Sequence, residues 1–193
     1  LGADNAYIAA QSSGGMALKS DGRLFNWGWN GFNQLGDNTT TDRLSPVELV
    51  AVGSDNAHVV GGRAHGLLLK ADGSVVSWGA NTNGQIGNGE CSCSRSHISS
   101  QQTWCETNEP ACTGSNRAHI AVSILPSAAV QIAAADYSSY ALLVDGSVWA
   151  WGMNNYGQLG DGAQTQRISP VRIEGYGADT AMRLPPGGAL AQT

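Results

Sequence analysis

Positive charge is scarce in this sequence. Of its 193 residues only Lys19 and Lys70 are lysines, and 10 Lys and Arg residues stand against 15 Asp and Glu, which gives a net charge of −5 at pH 7. Proteins that bind nucleic acid or anionic membrane surfaces carry basic stripes or tails that neutralise phosphate groups. No such stripe or tail is present, so neither kind of partner is expected.

Long apolar runs and the motifs of common catalytic sites are also missing. No stretch is long and apolar enough to insert into a membrane. The Gly-x-Ser-x-Gly, phosphate-loop and His-Glu-x-x-His patterns do not occur. Residues 37–42 are rich in side-chain oxygens but lack the acidic spacing of a calcium loop, which favours a polar loop over a calcium site. We therefore expect a protein that is not an enzyme and uses neither a cofactor nor a bound metal.

The sequence does contain one phrase three times. Residues 21–37, 72–88 and 145–161 share Asp-Gly, then Trp-Gly-x-Asn, then Gln-Leu/Ile-Gly-Asp/Asn, with identical internal spacing. The second copy is offset from the first by 51 residues and the third by 124. A period of about 50 residues is typical of propellers and solenoids, in which each unit buries its faces only against its neighbours.

Each copy consists of short predicted β-strands divided by turns. Apolar segments such as 7–10 and 16–18 precede the Asp-Gly pair, which predicts a hairpin with a type I′ turn. The next strand alternates and ends in Trp-Gly. Residues 44–47 contain a proline and are predicted to form a last, edge strand, where proline is tolerated. About four strands per unit and no helical periodicity predict an all-β fold made of β-propeller blades.

These motifs resemble the regulator of chromosome condensation (RCC1) repeat. The resemblance rests on Asp-Gly, Trp-Gly-x-Asn, Gly-Gln-Leu-Gly and Pro-Val, and it covers about residues 2–173 with part of a further copy to about residue 184. The family's usual fold is a seven-bladed propeller. Its members include a nuclear exchange factor for the small GTPase Ran, a plant ultraviolet-B photoreceptor and a secreted bacterial inhibitor of beta-lactamases. The resemblance implies a propeller whose loops bind other proteins.

The repeats predict how the chain is divided. We expect repeats at residues 2–50, 51–127 and 128–176, a Cys-rich insertion at 90–118 within the second, and the start of a further repeat with a tail at 177–193. Three blades do not close a ring, because propellers typically have four to eight. We therefore expect about three consecutive four-stranded blades that belong to a six- or seven-bladed propeller or are completed by another copy of the chain.

All the cysteines lie in the insertion: Cys91, Cys93, Cys105 and Cys112. An even number of cysteines in a polar loop predicts two disulfides, which supply order that the loop's few apolar residues do not. The pairing stays open among three possibilities, with Cys91 and Cys93 each expected to bond a distant partner. Zinc is the alternative, with His97 or His119 as a further ligand, but the Cys-x2-Cys knuckle is absent. Disulfides would place the protein in an oxidising compartment.

The tryptophans divide into recurring and non-recurring positions. Trp27, Trp78 and Trp151 occupy one position of each repeat and are predicted to pack between blades, as is Trp149 on the same strand face. Aromatic and charged residues at loop positions that vary between the repeats are not explained by the scaffold, and aromatic residues dominate binding hot spots. The candidate binding residues of this kind are Trp29, Phe32, Arg63, His65, Trp104, Tyr137 and Tyr156.

The resemblance adds to this selection. In the beta-lactamase inhibitor of the family, such loops on one propeller face carry recognition, which implies the same face here. His65 also has a second interpretation, as a structural residue that bonds a neighbouring turn. The photoreceptor's Gly-Trp-Arg-His-Thr signature is absent, its nearest counterpart being residues 62–65. An acidic chain with disulfides also fits the nuclear exchange factor poorly, so neither activity is carried over.

The sequence therefore predicts a non-catalytic protein-binding module that is secreted or displayed on the cell surface of a bacterium, with the periplasm as a further location. One alternative is a structural subunit whose copies add blade to blade and form rings or filaments. A second alternative is carbohydrate binding by the same aromatic loops.

Overall fold

The computed structural model describes residues 2–91, 118–122 and 124–174. Within them, twelve strands form three four-stranded antiparallel sheets, each with its strands in chain order. We name these sheets blades 1, 2 and 3. Blade 1 consists of β1 (Asn5–Gln11), β2 (Gly14–Lys19), β3 (Leu24–Gly28) and β4 (Arg43–Glu48); blade 2 of β5 (Asn56–Gly61), β6 (His65–Lys70), β7 (Val75–Gly79) and β8 (Ala118–Val122); and blade 3 of β9 (Ala129–Ala135), β10 (Ser138–Leu143), β11 (Val148–Gly152) and β12 (Arg167–Arg172).

This architecture confirms the predicted all-β fold with four-stranded blades. The segment around Pro46 is the outermost strand of blade 1, as its proline indicated. The helical element in the described residues is a three-residue 3-10 turn at Val50–Val52, which joins blade 1 to blade 2. Nowhere in the described part of the chain is there a helix with the length and apolar character to cross a membrane.

Alternation along the strands gives each blade two apolar faces. In β7 every residue is buried, because Val76 and Trp78 point toward blade 1 while Val75 points toward blade 3. The core between blades 1 and 2 contains Met16, Leu18, Leu24, Leu49, Val52, Val59, Leu68, Val76 and Trp78. The core between blades 2 and 3 contains Leu67, Leu69, Val75, Ala129, Ile132, Ala141, Leu143 and Trp151, with Trp149 packed against it.

The recurring tryptophans therefore pack between blades where two described blades meet. Trp78 and Trp151 are fully buried, whereas Trp27, at the same position in blade 1, is only partly buried. Gly66 lies directly against Trp78, and a Cβ at that glycine would stand 2.3 Å from the indole ring. Glycine at this position of β6 lets the ring lie flat on the strand.

The Asp-Gly hairpins differ from the predicted type I′ turn. In blade 1 the amide of Gly22 donates to the carbonyl of Lys19 at 3.0 Å, and the amide of Lys19 donates to the carbonyl of Arg23 at 2.9 Å. Gly22 has φ +82°, but Asp21 does not have a positive φ. The predicted type I′ turn was therefore wrong. The loop has three residues, 20–22, and only the last of them, Gly22, has a positive φ. The Asp21 carboxylate instead accepts a hydrogen bond from the Arg23 amide at 3.1 Å.

These turns also join consecutive blades. The side-chain amide of Asn56, at the start of β5, donates to the carbonyl of Gly22 at 2.8 Å. At Gly22 itself a Cβ would stand 1.8 Å from the Ser54 carbonyl oxygen, so the close approach of the two blades requires glycine.

Candidate functional site

Strand order brings two sets of loops to one end of the blades. Because all neighbouring strands are antiparallel, the hairpin between the first two strands of a blade and the loop between its last two strands lie at the same end. Hydrogen bonds join the hairpin to the loop. In blade 1 the amide of Trp29 donates to the carbonyl of Ser13 at 2.9 Å, and in blade 3 the amide of Met153 donates to the carbonyl of Tyr137 at 3.0 Å. We call this end the loop face. It consists of residues 12–13, 62–64 and 136–137 in the hairpins and of 29–42, 80–91 and 153–166 in the longer loops, named loops 1, 2 and 3.

Loop 1 is organised around one buried asparagine. Asn30 is fully buried, and its side-chain Nδ2 donates to Asp37 Oδ1 at 2.9 Å and to the carbonyls of Thr39 and Thr41 at 3.1 Å. Its Oδ1 accepts from the amide of Leu35 at 3.1 Å. The asparagine thus replaces the backbone ladder that an irregular segment lacks.

The same network recurs in loop 3. Asn154 Nδ2 donates to Asp161 Oδ1 at 2.9 Å, and the amide of Leu159 donates to Asn154 Oδ1 at 3.0 Å. Arg167 pairs with Asp161 at 2.6 Å, as Arg43 pairs with Asp37 in loop 1. This network is the physical reason for the repeated Asn and Asp of the motif.

The oxygen-rich segment 37–42 is part of this network. Burial raises the pKa of Asp37, but hydrogen bonds from Thr39, Arg43 and Asn30 outweigh it and hold that pKa below its usual value. The carboxylate is therefore charged and engaged by the loop itself. In the described residues no group of three or more His, Cys, Asp or Glu side chains is arranged to hold a metal ion.

In loops 1 and 2 the repeated glutamine joins the loop to the following blade. Gln34 Oε1 accepts from the amide of Phe32 at 2.9 Å, and its own carbonyl accepts from the indole Nε1 of Trp78 at 2.9 Å. In the same way, the carbonyl of Gln85 accepts from the Trp151 indole at 2.9 Å. The loops are therefore held rigidly on the blade interfaces. The repeated spacing of glutamine and tryptophan indicates that both have a structural role. Only the structure shows that the indole donor and the carbonyl acceptor lie in neighbouring blades.

His65 is not exposed on the loop face. The side chain is completely buried, and its Nε2 lies 3.0 Å from Ser139 Oγ in blade 3, which in turn donates to the Gln85 carbonyl at 2.8 Å. As a candidate contact residue it is therefore wrong, because the adjacent blade covers it. Its second interpretation, a structural residue that bonds a neighbouring element, agrees with this geometry.

Burial lowers the pKa of His65 to about 4, from an ordinary value of 6.5. The unfolded chain therefore binds a proton at this side chain between pH 6.5 and 4 and the folded chain does not, so the free energy of unfolding falls as the pH falls through that interval. The full loss corresponds to about 3 kcal/mol at pH 4. We expect urea unfolding of the His65→Ser variant, which carries the residue of blade 3 at this position, to lack most of this loss. An equally steep pH dependence in the variant would contradict the assignment.

Trp29 and Phe32 form an aromatic pair on loop 1. Their ring centroids are 5.3 Å apart with the planes at 86°, an edge-to-face contact. Trp29 is 42% exposed and lies against Gly31, where a Cβ would stand 2.5 Å from the indole. Tyr156, the counterpart of Phe32 on loop 3, is 84% exposed. These three predicted site residues therefore lie on the loop face.

Arg63 and Tyr137 come together from different blades. The Arg63 guanidinium lies over the Tyr137 ring at 5.5 Å, and one of its nitrogens is 3.8 Å from an oxygen of Asp136. The amide of Arg63 also donates to the Asp136 carbonyl at 2.7 Å. Asp136 has φ +46°, an uncommon backbone conformation for a residue other than glycine. Beside this cluster lies a shallow depression of about 450 Å³, lined also by Gln11 and Ser12.

The Cys-rich insertion begins and ends at the loop face. Gly79, at the end of β7, is paired with Ala118, at the start of β8, so the chain leaves blade 2 and returns to it at this end. Cys91 is buried and disulfide-bonded. The other predicted residues of the insertion, Cys93, Trp104, Cys105 and Cys112, lie outside the described residues, as do His97 and the predicted start of a further repeat at 177–193.

Models of one repeat family match this chain. A model described as the regulator of chromosome condensation (RCC1) repeat matches residues 21–69 and 145–180, and a second model of the same repeat matches residues 57–85 and 129–158. Together they cover more than half of the sequence.

Curated proteins similar to the chain include the ultraviolet-B receptor UVR8 of Arabidopsis thaliana. It is 28% identical over 179 residues, which are 92% of this chain and 34% of the receptor. The human probable E3 ubiquitin-protein ligase HERC4 is 29% identical over 177 residues, which are 91% of this chain and 15% of the ligase. The chain thus spans about a third or less of the length of these relatives.

Solved structures with the same blade arrangement include Prp20p from Saccharomyces cerevisiae, with a TM-score of 0.68 and 22% identity over 92% of this chain and 39% of that protein. Yeast RCC1 (Prp20) bound to Kap60 gives a TM-score of 0.69 at 20% identity, over 92% of this chain and 38% of the other. Human WBSCR16 gives 0.68 at 24% identity, over 94% and 42%. At these identities the likeness shows the fold, which is that of RCC1-type propeller blades.

Proposed function

The chain belongs to the regulator of chromosome condensation repeat family, and from that premise we propose that it is a non-catalytic module that binds a protein partner through its loop face. The proposal rests mainly on one observation, that the loops contain two sets of residues with different roles. Recurring residues close the loops and join loops 1 and 2 to the next blade, whereas the aromatic side chains at variable loop positions, of which Trp29 and Tyr156 are exposed, take no part in that network. Aromatic side chains that the fold does not need are suited to be interface anchors.

Rigidity of the loop face favours this function. Indole-to-carbonyl bonds and the buried asparagines fix the loop backbones before any partner arrives. A surface that is already ordered loses less conformational entropy on binding than a flexible one. Yeast Prp20p binds Gsp1p and histones, and yeast RCC1 forms a complex with Kap60, so proteins with this fold include protein binders.

We also propose that the protein works in an oxidising compartment, on a bacterial cell surface, outside the cell or in the periplasm. The buried, disulfide-bonded Cys91 and the grouping of the remaining cysteines in the same insertion support this location. Disulfides persist in such compartments and are rare in the cytosol.

The proposal is tested with a variant that removes four aromatic side chains of the loop face: Trp29→Ala, Phe32→Ala, Tyr137→Ala and Tyr156→Ala. Partners are first selected on the unmodified chain from a displayed protein library, and their dissociation constants are then measured for each variant. We expect the four-alanine variant to bind at least about 100-fold more weakly, because interface anchors of this type contribute several kcal/mol in sum.

A matched control removes apolar side chains at the opposite end of the blades. Val50 and Val144 are exposed there, at 75% and 67%. The double alanine variant at these positions is expected to keep full affinity, and thermal unfolding checks that both variants stay folded. Selected partners that bind the four-alanine variant as tightly as the unmodified chain would contradict the proposal. A sugar array that loses its signal with the same four substitutions would instead indicate carbohydrate binding.

A further inference from the structure

Two neighbouring side chains of loop 1 are not required by the loop they occupy. Loops 1 and 3 close with the same Asn, Asp, Arg and Gln network. Where loop 1 has Trp29 and Asp42, however, loop 3 has Met153 and Gln166. Loop 3 therefore has the same network without the indole and without the carboxylate.

The structure places this carboxylate against the backbone that directly follows Trp29. Asp42 Oδ1 accepts a hydrogen bond from the amide of Asn30 at 2.9 Å, and that amide belongs to the peptide bond that directly follows Trp29. Asp42 is exposed, and none of the ion pairs among the described residues includes it. The nearest cation along the chain, Arg43, is held by Asp37 at 2.6 Å and does not neutralise Asp42.

Elsewhere on the loop face an arginine contacts both an aromatic ring and an aspartate. Between the hairpins of blades 2 and 3, the Arg63 guanidinium lies 5.5 Å from the centroid of the Tyr137 ring. The distance from Arg63 Nη1 to Asp136 Oδ1 is 3.8 Å. Guanidinium groups stack on aromatic rings and donate several hydrogen bonds in one plane. Trp29 and Asp42 present the same two components without the arginine.

We infer that Trp29 and Asp42 form an acceptor site for an arginine side chain of the protein partner. This inference rests on the proposed function and specifies the partner's chemistry at one point of the loop face. The guanidinium stacks on the exposed part of the indole and donates to the carboxylate of Asp42, while Phe32 packs against the indole in an edge-to-face contact. The chain's net charge of −5 also favours approach of a cationic partner surface.

A short blocked peptide tests this site without knowledge of the partner. The acetylated and amidated peptide Gly-Gly-Arg-Gly-Gly and its citrulline analogue, a neutral isostere, are titrated separately into the 15N-labelled chain. The tryptophan indole N–H resonances are followed by NMR, and that of Trp29 is assigned by its loss in Trp29→Met. We expect the arginine peptide to shift the Trp29 resonance with a dissociation constant in the millimolar range, and the citrulline peptide to shift it little.

The variants are taken from loop 3, so that the loop network is preserved. Trp29→Met and Asp42→Gln introduce the residues that loop 3 carries, and each is expected to weaken binding of the arginine peptide about fivefold. In Trp29→Met the Asn30 amide resonance reports binding instead. Glu90→Gln, which removes the same charge from loop 2 on the same face, is expected to leave binding unchanged.

Equal shifts with the arginine and citrulline peptides would overturn the inference, as would the absence of any shift at Trp29 up to about 20 mM peptide, at which a site with a dissociation constant in the low millimolar range is largely filled. Equal weakening by Asp42→Gln and Glu90→Gln would overturn it too, because binding would then depend on general charge. These failures are distinct from failure of the proposed function. A partner that is lost with the four-alanine variant while the peptide gives no response leaves the proposed function standing and removes only the arginine site.

Discussion

Replacement of Trp151 by alanine is expected to lower the free energy of unfolding by about 4 kcal/mol. The side chain is fully buried in the core between blades 2 and 3, and its indole donates to the Gln85 carbonyl at 2.9 Å. Alanine leaves a cavity in the core that both blades share, and it removes the hydrogen bond from the indole to blade 2. Urea unfolding followed by far-UV circular dichroism measures the change, since that signal does not rely on tryptophan.

Trp27 is the matched control, because it occupies the same position of the repeat in blade 1 but is only partly buried. We expect Trp27→Ala to cost less than half as much as Trp151→Ala. If both substitutions cost the same, the tryptophan would stabilise its own sheet and not the contact between blades. Trp151→Phe separates packing from hydrogen bonding: it is expected to cost about 1–2 kcal/mol, since Ser139 still donates to the Gln85 carbonyl.

Asn154→Asp is expected to lower the free energy of unfolding at pH 7 by about 4 kcal/mol, although it changes no volume. Asn154 is fully buried, and its Nδ2 donates to Asp161 Oδ1 and to the carbonyls of Ala163 and Thr165 at 2.9–3.1 Å. The aspartate would place an acceptor with negative charge against those three acceptors. Chemical unfolding at pH 7 measures the loss, and amide hydrogen exchange in loop 3 locates it.

The control for this substitution lies one residue further along the chain. Asn155 is exposed, so Asn155→Asp introduces the same charge into the same loop and is expected to change stability by less than about 0.5 kcal/mol. A large effect of Asn155→Asp would mean that the loop is sensitive to charge in general. A small effect of Asn154→Asp would mean that the asparagine network does not hold the loop together.

The blade architecture could be predicted from the sequence because its signals are local. Alternation up to Trp-Gly, glycine at tight turns and proline in the segment around Pro46 each report on the strand that contains them, and the structure has strands at these places. The turn type was not predictable in the same way. Asp21-Gly22 fits a two-residue turn by composition, but the separation of the strand ends, which decides loop length, is a property of the folded sheet.

The candidate site was predictable only in part, for a related reason. Trp29 and Phe32 share one loop, so the sequence places them together, whereas Arg63 and Tyr137 meet only because blades 2 and 3 are neighbours. His65 shows the converse. Its position next to exposed hairpin residues suggested a surface site, but the adjacent blade covers it. Contacts between repeats are therefore the part of the site that a single repeat's sequence does not contain.

The closed hydrogen-bond networks of loops 1 and 3 have an evolutionary consequence. Because the buried Asn30 and Asn154 satisfy the loops from within, neighbouring outward positions such as 29 and 42 are exchanged between repeats at little cost to folding. Substitutions at these positions change the stability of the fold little, so selection acts on them mainly through recognition. A lineage that duplicates such blades thereby obtains a surface on which new specificities arise without a compensating change in the scaffold.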